Sequence, residues 1–209
     1  MSTLSSPPVT ASRRPTPLDA MRARAEEARF GFWIFLMSDL VIFSLLFATY
    51  AIMWGNRADG PGPEDLFQLK SAAIQTGCLL LSSFTFGLVT LNAQRQLSVA
   101  RTMIWLVVTL ALGAGFLGFE ISDFIDMVQL EASISASGFL SSFYALVGTH
   151  GLHVTVGCLW ILIMLLQLGR FGLTPPVISR IMRLGLFWHF LDIIWIGIFS
   201  IVYLIGLAK

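Results

Sequence analysis

Three histidines, His150, His153 and His189, and three carboxylates, Asp39, Glu120 and Asp192, stand inside stretches that are otherwise almost wholly apolar. Imidazoles ligate metals and carry protons near neutral pH, and carboxylates accept protons or pair with cations. In hydrocarbon each of these groups is costly, so each needs a partner inside the protein and is a functional candidate by default. Their spacing sorts them. His150 and His153 lie three residues apart in Gly148-Thr149-His150-Gly151-Leu152-His153. On a helix that sets them about 60° apart, so both can face one neighbour. His189 and Asp192 repeat the spacing in Trp188-His189-Phe190-Leu191-Asp192, where the carboxylate orients the imidazole and offsets part of its burial cost.

Each site has a plain structural reading beside the chemical one. Asp39, in Leu36-Met37-Ser38-Asp39-Leu40, is expected to be protonated or hydrogen-bonded across helices, as an interhelix contact before a proton carrier. Glu120 closes Gly118-Phe119-Glu120-Ile121. Ala111 with Gly115, and Ala114 with Gly118, recur every fourth position, which lets another helix approach and places Glu120 at a packed interface near the outer membrane face. A plain interfacial carboxylate is the competing reading, since Asp123 and Asp126 follow in the expected acidic connection. A haem or metal centre needs more ligands than one histidine pair. His189 is the only other histidine, so no His-rich site can be assembled, and His150 with His153 reads as a buried hydrogen-bonded network. The His189–Asp192 pair reads as an intramembrane ion pair that fixes helix register. Cys78 and Cys158 fall in apolar runs and read as small core residues rather than a disulfide or metal site.

The elements that must position these residues are long apolar segments. The chain has 209 residues, 56% of them hydrophobic and 12% charged, with mean hydropathy +0.80. Soluble domains carry about 25% charged residues, so no large water-facing domain fits here. The net charge of +1 and the absence of a basic, aromatic-interleaved cluster give no nucleic-acid signal. About 20 apolar residues cross the hydrocarbon layer. Five runs meet that length, at 30–54, 72–91, 102–120, 138–168 and 184–207. An open sheet cannot span lipid and the runs exceed barrel strands, so the fold class is an all-α bundle of five transmembrane helices.

Residues 1–29 are expected to form a cytoplasmic tail, disordered up to Leu18 and ending in a short surface helix, with 30–209 as the membrane domain. The first apolar run is too long for a cleaved signal and reads as an anchor. Arg13, Arg14, Arg22, Arg24, Arg29, Arg95, Arg101, Arg170, Arg180 and Arg183 fall on one side, against Arg57, Lys70 and Lys209 on the other. The N-terminus is therefore expected in the cytoplasm and the C-terminus in the periplasm. Trp33, Trp54, Trp105 and Tyr203 lie near span ends, as interfacial aromatic belts do.

Five blocks in order then resemble subunit III of the haem–copper respiratory oxidases. They are Phe32-Trp33-Ile34-Phe35-Leu36-Met37-Ser38-Asp39, Gly113-Ala114-Gly115-Phe116-Leu117-Gly118-Phe119-Glu120, Ser137-Gly138-Phe139-Leu140, Gly148-Thr149-His150-Gly151-Leu152-His153-Val154, and Phe187-Trp188-His189-Phe190-Leu191-Asp192-Ile193-Ile194-Trp195. The chain is most similar to the five-helix form of cytochrome o-type ubiquinol oxidases, over about Phe30 to Lys209. Asp39 stands where the cytochrome c oxidase branch usually carries Glu, which leans toward the quinol branch.

The resemblance implies a subunit without catalytic residues or bound cofactor. Haem and copper would belong to subunit I, ubiquinol would be the substrate of the complex, and phospholipid would lie in a cleft of this chain. The implied partners are subunits I and II and a small subunit IV, in the bacterial inner membrane. The alternatives are subunit III of a five-helix cytochrome c oxidase and, further off, a proton-conducting protein or a small haem-binding redox protein.

Overall fold

A computed structural model describes residues 17–56, 69–129 and 137–205. The tail before Pro17, and Arg57, Glu131 and Lys209, on which part of the orientation and acidic-connection readings rest, lie outside the described residues. Five helices run in order: α1 Pro17–Met53, α2 Leu69–Gln94, α3 Val99–Gln129, α4 Gly138–Phe171 and α5 Pro175–Ile198, the last continuing as a π-helical segment, Phe199–Leu204. Each contains a stretch long and apolar enough to cross a membrane. No strand occurs among the described residues.

The helices outrun the apolar segments that signal them. α1 starts at Pro17 and passes without a break through the Asp19–Arg29 stretch expected as a separate surface helix. Glu and Arg are good helix formers, so nothing there stops a helix already nucleated downstream. In the same way α3 continues to Gln129, so Asp123 and Asp126 belong to its last turns rather than to an acidic connection. Local signals do mark other ends. The Ser137 hydroxyl accepts from the Leu140 amide at 3.1 Å to cap α4, and Gly172 at φ +65 closes it, its N–H returning to the Leu168 carbonyl at 3.0 Å. Pro175 and Pro176 then open α5.

α5 is the hub. It packs on α1, α2 and α4, while α2 also packs on α3, α3 on α4, and α4 on α1. Of the most apolar window of α5, 56% is buried, against 17% for α1, so α1 lies at the margin of the bundle. The core is aromatic. Trp188 is wedged between α3 and α4: a Cβ added at Gly113 would lie 2.8 Å from its ring, and one at Gly157 2.9 Å. Its indole N–H donates to Ser82 Oγ at 3.0 Å, and that of Trp195 to Thr76 Oγ1 at 3.0 Å, so two bonds tie α5 to α2. Gly185 makes the reciprocal notch for Phe86 of α2.

Two expectations about packing change. Gly115 and Gly118 have open space where a Cβ would go, and Ala111 and Ala114 are exposed, so that small-residue stripe faces away from the bundle. The glycine that α3 uses for packing is Gly113. Tyr203, expected in an interfacial belt, is buried at 4% exposure, because the chain turns π-helical at Phe199 and directs it inward. Cys158 is buried and Cys78 half-buried, and both are free thiols.

Candidate functional site

The intramembrane polar residues fall into three separate groups. The first joins α1 to α4. Asp39 is 7% exposed, and its Oδ2 lies 3.7 Å from His153 Nε2. His153 Nδ1 is 2.7 Å from the Thr149 carbonyl, which only accepts, so Nδ1 carries a proton and Nε2 is the nitrogen turned to Asp39. The carbonyl one turn back thus fixes the imidazole tautomer. His150, its companion in the sequence, is fully buried and has no hydrogen-bond partner at either nitrogen among the described residues. Its ring is packed among Phe116 at 5.7 Å, Trp195 at 5.3 Å and Phe43 at 6.4 Å between centroids. Phe43 also contacts His153 at 5.2 Å and so touches both imidazoles. The pair expected to act together therefore divides into one polar contact and one core ring.

The second group lies on α5 and α2. His189 Nδ1 is 3.6 Å from Asp192 Oδ2 but only 2.8 Å from Ser83 Oγ. The His189 side chain is 43% exposed and that of Asp192 7%. The expected His189–Asp192 contact is present, with two further features. Both residues belong to α5, so the pair cannot fix one helix against another; the link across helices is Ser83–His189. One partner also reaches the bundle surface. Sequence reading passed over Ser82, Ser83 and Thr76 because small hydroxyl residues are nearly neutral in hydropathy. The usable signal was their helical spacing opposite a helix rich in indole and imidazole donors.

The third group lies in the C-terminal part of α3, against α2 and α4. Glu120 is 4% exposed, with both carboxyl oxygens lacking a hydrogen-bond partner among the described residues. Its carboxyl lies against the Cα of Gly151, where an added Cβ would meet the oxygens at 2.5 and 2.7 Å. One turn on, Asp123 accepts from Ser71 Oγ at 2.9 and 3.0 Å and from Gln75 Nε2 at 2.6 Å.

This geometry ties helices together, α1 to α4 through Asp39 and His153, α2 to α5 through Ser83 and His189, and α2 to α3 through Ser71, Gln75 and Asp123. Among the described residues no three His, Cys, Asp or Glu side chains converge in a way that would hold a metal ion. A recess of about 290 Å³ opens between α1, α4 and α5, lined by Phe35, Leu152, His153, Val156, Trp160 and Phe187. Its walls are apolar, since the nitrogens of His153 are turned inward to Thr149 and Asp39.

The described residues form a bundle of five membrane-spanning helices with polar side chains placed between them, and comparison with known proteins gives the class. A family model for cytochrome c oxidase subunit III matches residues 20–207, and the chain belongs to that family. Among its relatives, cytochrome bo(3) ubiquinol oxidase subunit 3 of Pseudomonas putida is 48% identical over 84% of this chain and 84% of its own length. The quinol oxidase subunit 3 of Bacillus spizizenii is 48% identical over 85% of this chain and 87% of its own. The cytochrome c oxidase subunit 3 of Alkalihalophilus pseudofirmus is 39% identical over 85% and 86%.

Proposed function

We propose that this chain is the non-catalytic subunit III of a proton-pumping ubiquinol oxidase in a bacterial inner membrane. Haem and copper in subunit I reduce oxygen to water with electrons from ubiquinol, and this chain stabilises subunit I and holds phospholipid. The observation that carries the reading is the 48% identity, over most of the chain, to proteins named as quinol oxidase subunit 3 in two genera. The side chains agree with it. The His150 ring packs among aromatic side chains and His153 is turned to Asp39 and Thr149.

The site residues take structural roles in this reading. Asp39, His153, His189 and Asp192 hold helices in place, and His150 fills the core. The recess beside Trp160 accepts a phospholipid acyl chain, because its lining offers dispersion contacts and almost no polar edge. The chain sits with its N-terminus in the cytoplasm and joins subunits I, II and a small subunit IV.

The experiment is co-purification through a tag on this chain, with a haem spectrum and turnover on ubiquinol and on reduced cytochrome c. Ubiquinol oxidation by a complex containing subunit I is the expected result. Turnover on reduced cytochrome c alone would transfer the chain to the second reading, subunit III of a cytochrome c oxidase, the name carried by the Alkalihalophilus relative. The isolated chain should show no Soret band, and a stoichiometric one would overturn the non-catalytic assignment.

A further inference from the structure

The end of the bundle where α2 and α4 begin and α1 and α3 finish holds a polar cluster that the proposed function does not use. Ser71 and Gln75 of α2 meet Asp123 of α3, Glu120 lies one turn back on α3 within electrostatic reach of Asp123, and Tyr203 of the π-helical segment is within electrostatic reach of both carboxyls and of Tyr50. Asp126 is in reach of Asp123 from the same helix. Gly151 of α4 forms the opposite wall. Among the described residues no Lys, Arg or His forms an ion pair with either carboxyl, and Lys70, beside Ser71, is exposed.

Donors and acceptors do not balance in this cluster. Asp123 receives three contacts from Ser71 and Gln75, the environment of a carboxylate. Glu120 receives none at either oxygen. Gln75, 1% exposed, gives its amide N–H to Asp123 and leaves its own Oε1 without a donor. Three buried oxygens, two of Glu120 and one of Gln75, are therefore all acceptors. A buried acceptor without a donor costs free energy, and ionising the buried Glu120 beside the half-buried, hydrogen-bonded Asp123, with no cation paired to either among the described residues, is disfavoured. A proton on Glu120 turns one acceptor into a donor, and a small molecule inside the cluster can bring donors to the others. Water meets that need, as buried waters do when polar groups converge. Gly151 is part of the arrangement, because any side chain there would displace the carboxyl.

We propose that Glu120, Asp123 and Gln75 form an internal acid–carboxylate site that binds water and keeps one exchangeable proton on Glu120. Exchange is a balanced step. The Glu120 O–H bond breaks as a new O–H bond forms on the bound water, and another proton from that water returns to the carboxyl.

The test is infrared spectroscopy of the purified, intact oxidase complex during exchange from H₂O to D₂O. The wild-type complex should show a protonated-carboxyl C=O band that shifts in D₂O, is lost in Glu120→Gln and persists in Asp123→Asn. If Glu120→Gln does not assemble, Glu120→Asp serves, and the band should move rather than vanish. Two results would overturn the proposal. One is a Glu120→Gln or Glu120→Asp spectrum identical to wild type, which means no proton is held there; the other is a band insensitive to D₂O, which means no water reaches it. A sodium titration with choline as control adds a further outcome. Loss of the wild-type band with sodium alone would assign the cluster to a monovalent cation and overturn the proton reading.

Discussion

The Asp39–His153 contact makes an unequal prediction for two substitutions of one residue. With Nδ1–H held by the Thr149 carbonyl, Nε2 of a neutral His153 needs a donor. Asp39→Asn supplies an amide N–H, and the assembled complex should keep ubiquinol turnover close to wild type. Asp39→Leu removes the polar group that faces Nε2 of the half-buried His153 and should lower the yield of assembled complex. Coupling with His153→Leu in a double-mutant cycle should be about 0.5–3 kcal/mol, as for residues in direct contact. Total loss of turnover in a fully assembled Asp39→Asn complex would return this carboxyl to the proton carriers. For His189 the structure lowers the expected cost. Removing one partner of a buried pair costs about 3–5 kcal/mol, but His189 is 43% exposed on its side chain and Ser83 is its nearer contact. Ser83→Ala should therefore cost about 0.6 kcal/mol, the mean for interhelical hydrogen bonds in membranes, read as a small drop in the thermal midpoint of the detergent-solubilised complex.

Helices differ in how much tightening they tolerate. Trp188 is held on two sides by Gly113 of α3 and Gly157 of α4, so either glycine changed to Val drives methyl groups into an indole that cannot withdraw. Overpacking of this kind costs about 1–3 kcal/mol, and both variants should lower thermal stability. Gly115→Val and Gly118→Val, on the face with open space, should not. Equal losses at all four positions would mean that the outer face of α3 is as closely packed as the inner one.

How far the helices were legible in the sequence follows from the same physics. Apolar runs of spanning length announce all five, because a backbone in lipid must satisfy its own hydrogen bonds. The extension of α3 to Gln129 was not legible, since hydropathy falls at Glu120 while helix propensity does not. The choice among small residues was also hidden. Gly113 and Gly115 look alike in sequence, and only the position of Trp188 shows which of them packs. Asp39 was visible as a costly carboxyl, yet its partner was not, because α1 lies against α4 and α5 rather than against its neighbour in the chain.

At the scale of the whole molecule, the bundle presents lipid or partner surface almost everywhere on α1. Trp33, Ile34, Phe35, Val41, Ile42 and Leu45 are all exposed in the isolated subunit. Such a surface is ordinary against lipid, and in the proposed complex part of it is covered by protein. A complex depleted of this subunit should keep its haem spectrum while losing activity faster during turnover. Loss of the haem spectrum itself would give the chain a direct part in holding the cofactors.

The marginal place of α1 also sets an order of events in biogenesis. α1 is made before α2 and α3 but docks on α4 and α5, which follow them in the chain. From its insertion until α4 emerges, Asp39 waits in the bilayer without His153. The nascent chain therefore passes through a stage in which α1 carries Asp39 without His153 and without α4 and α5 to pack against. A ribosome stalled before Gly138 should leave α1 free to slide or to be recognised by an insertion chaperone, and release beyond Phe171 should end that exposure.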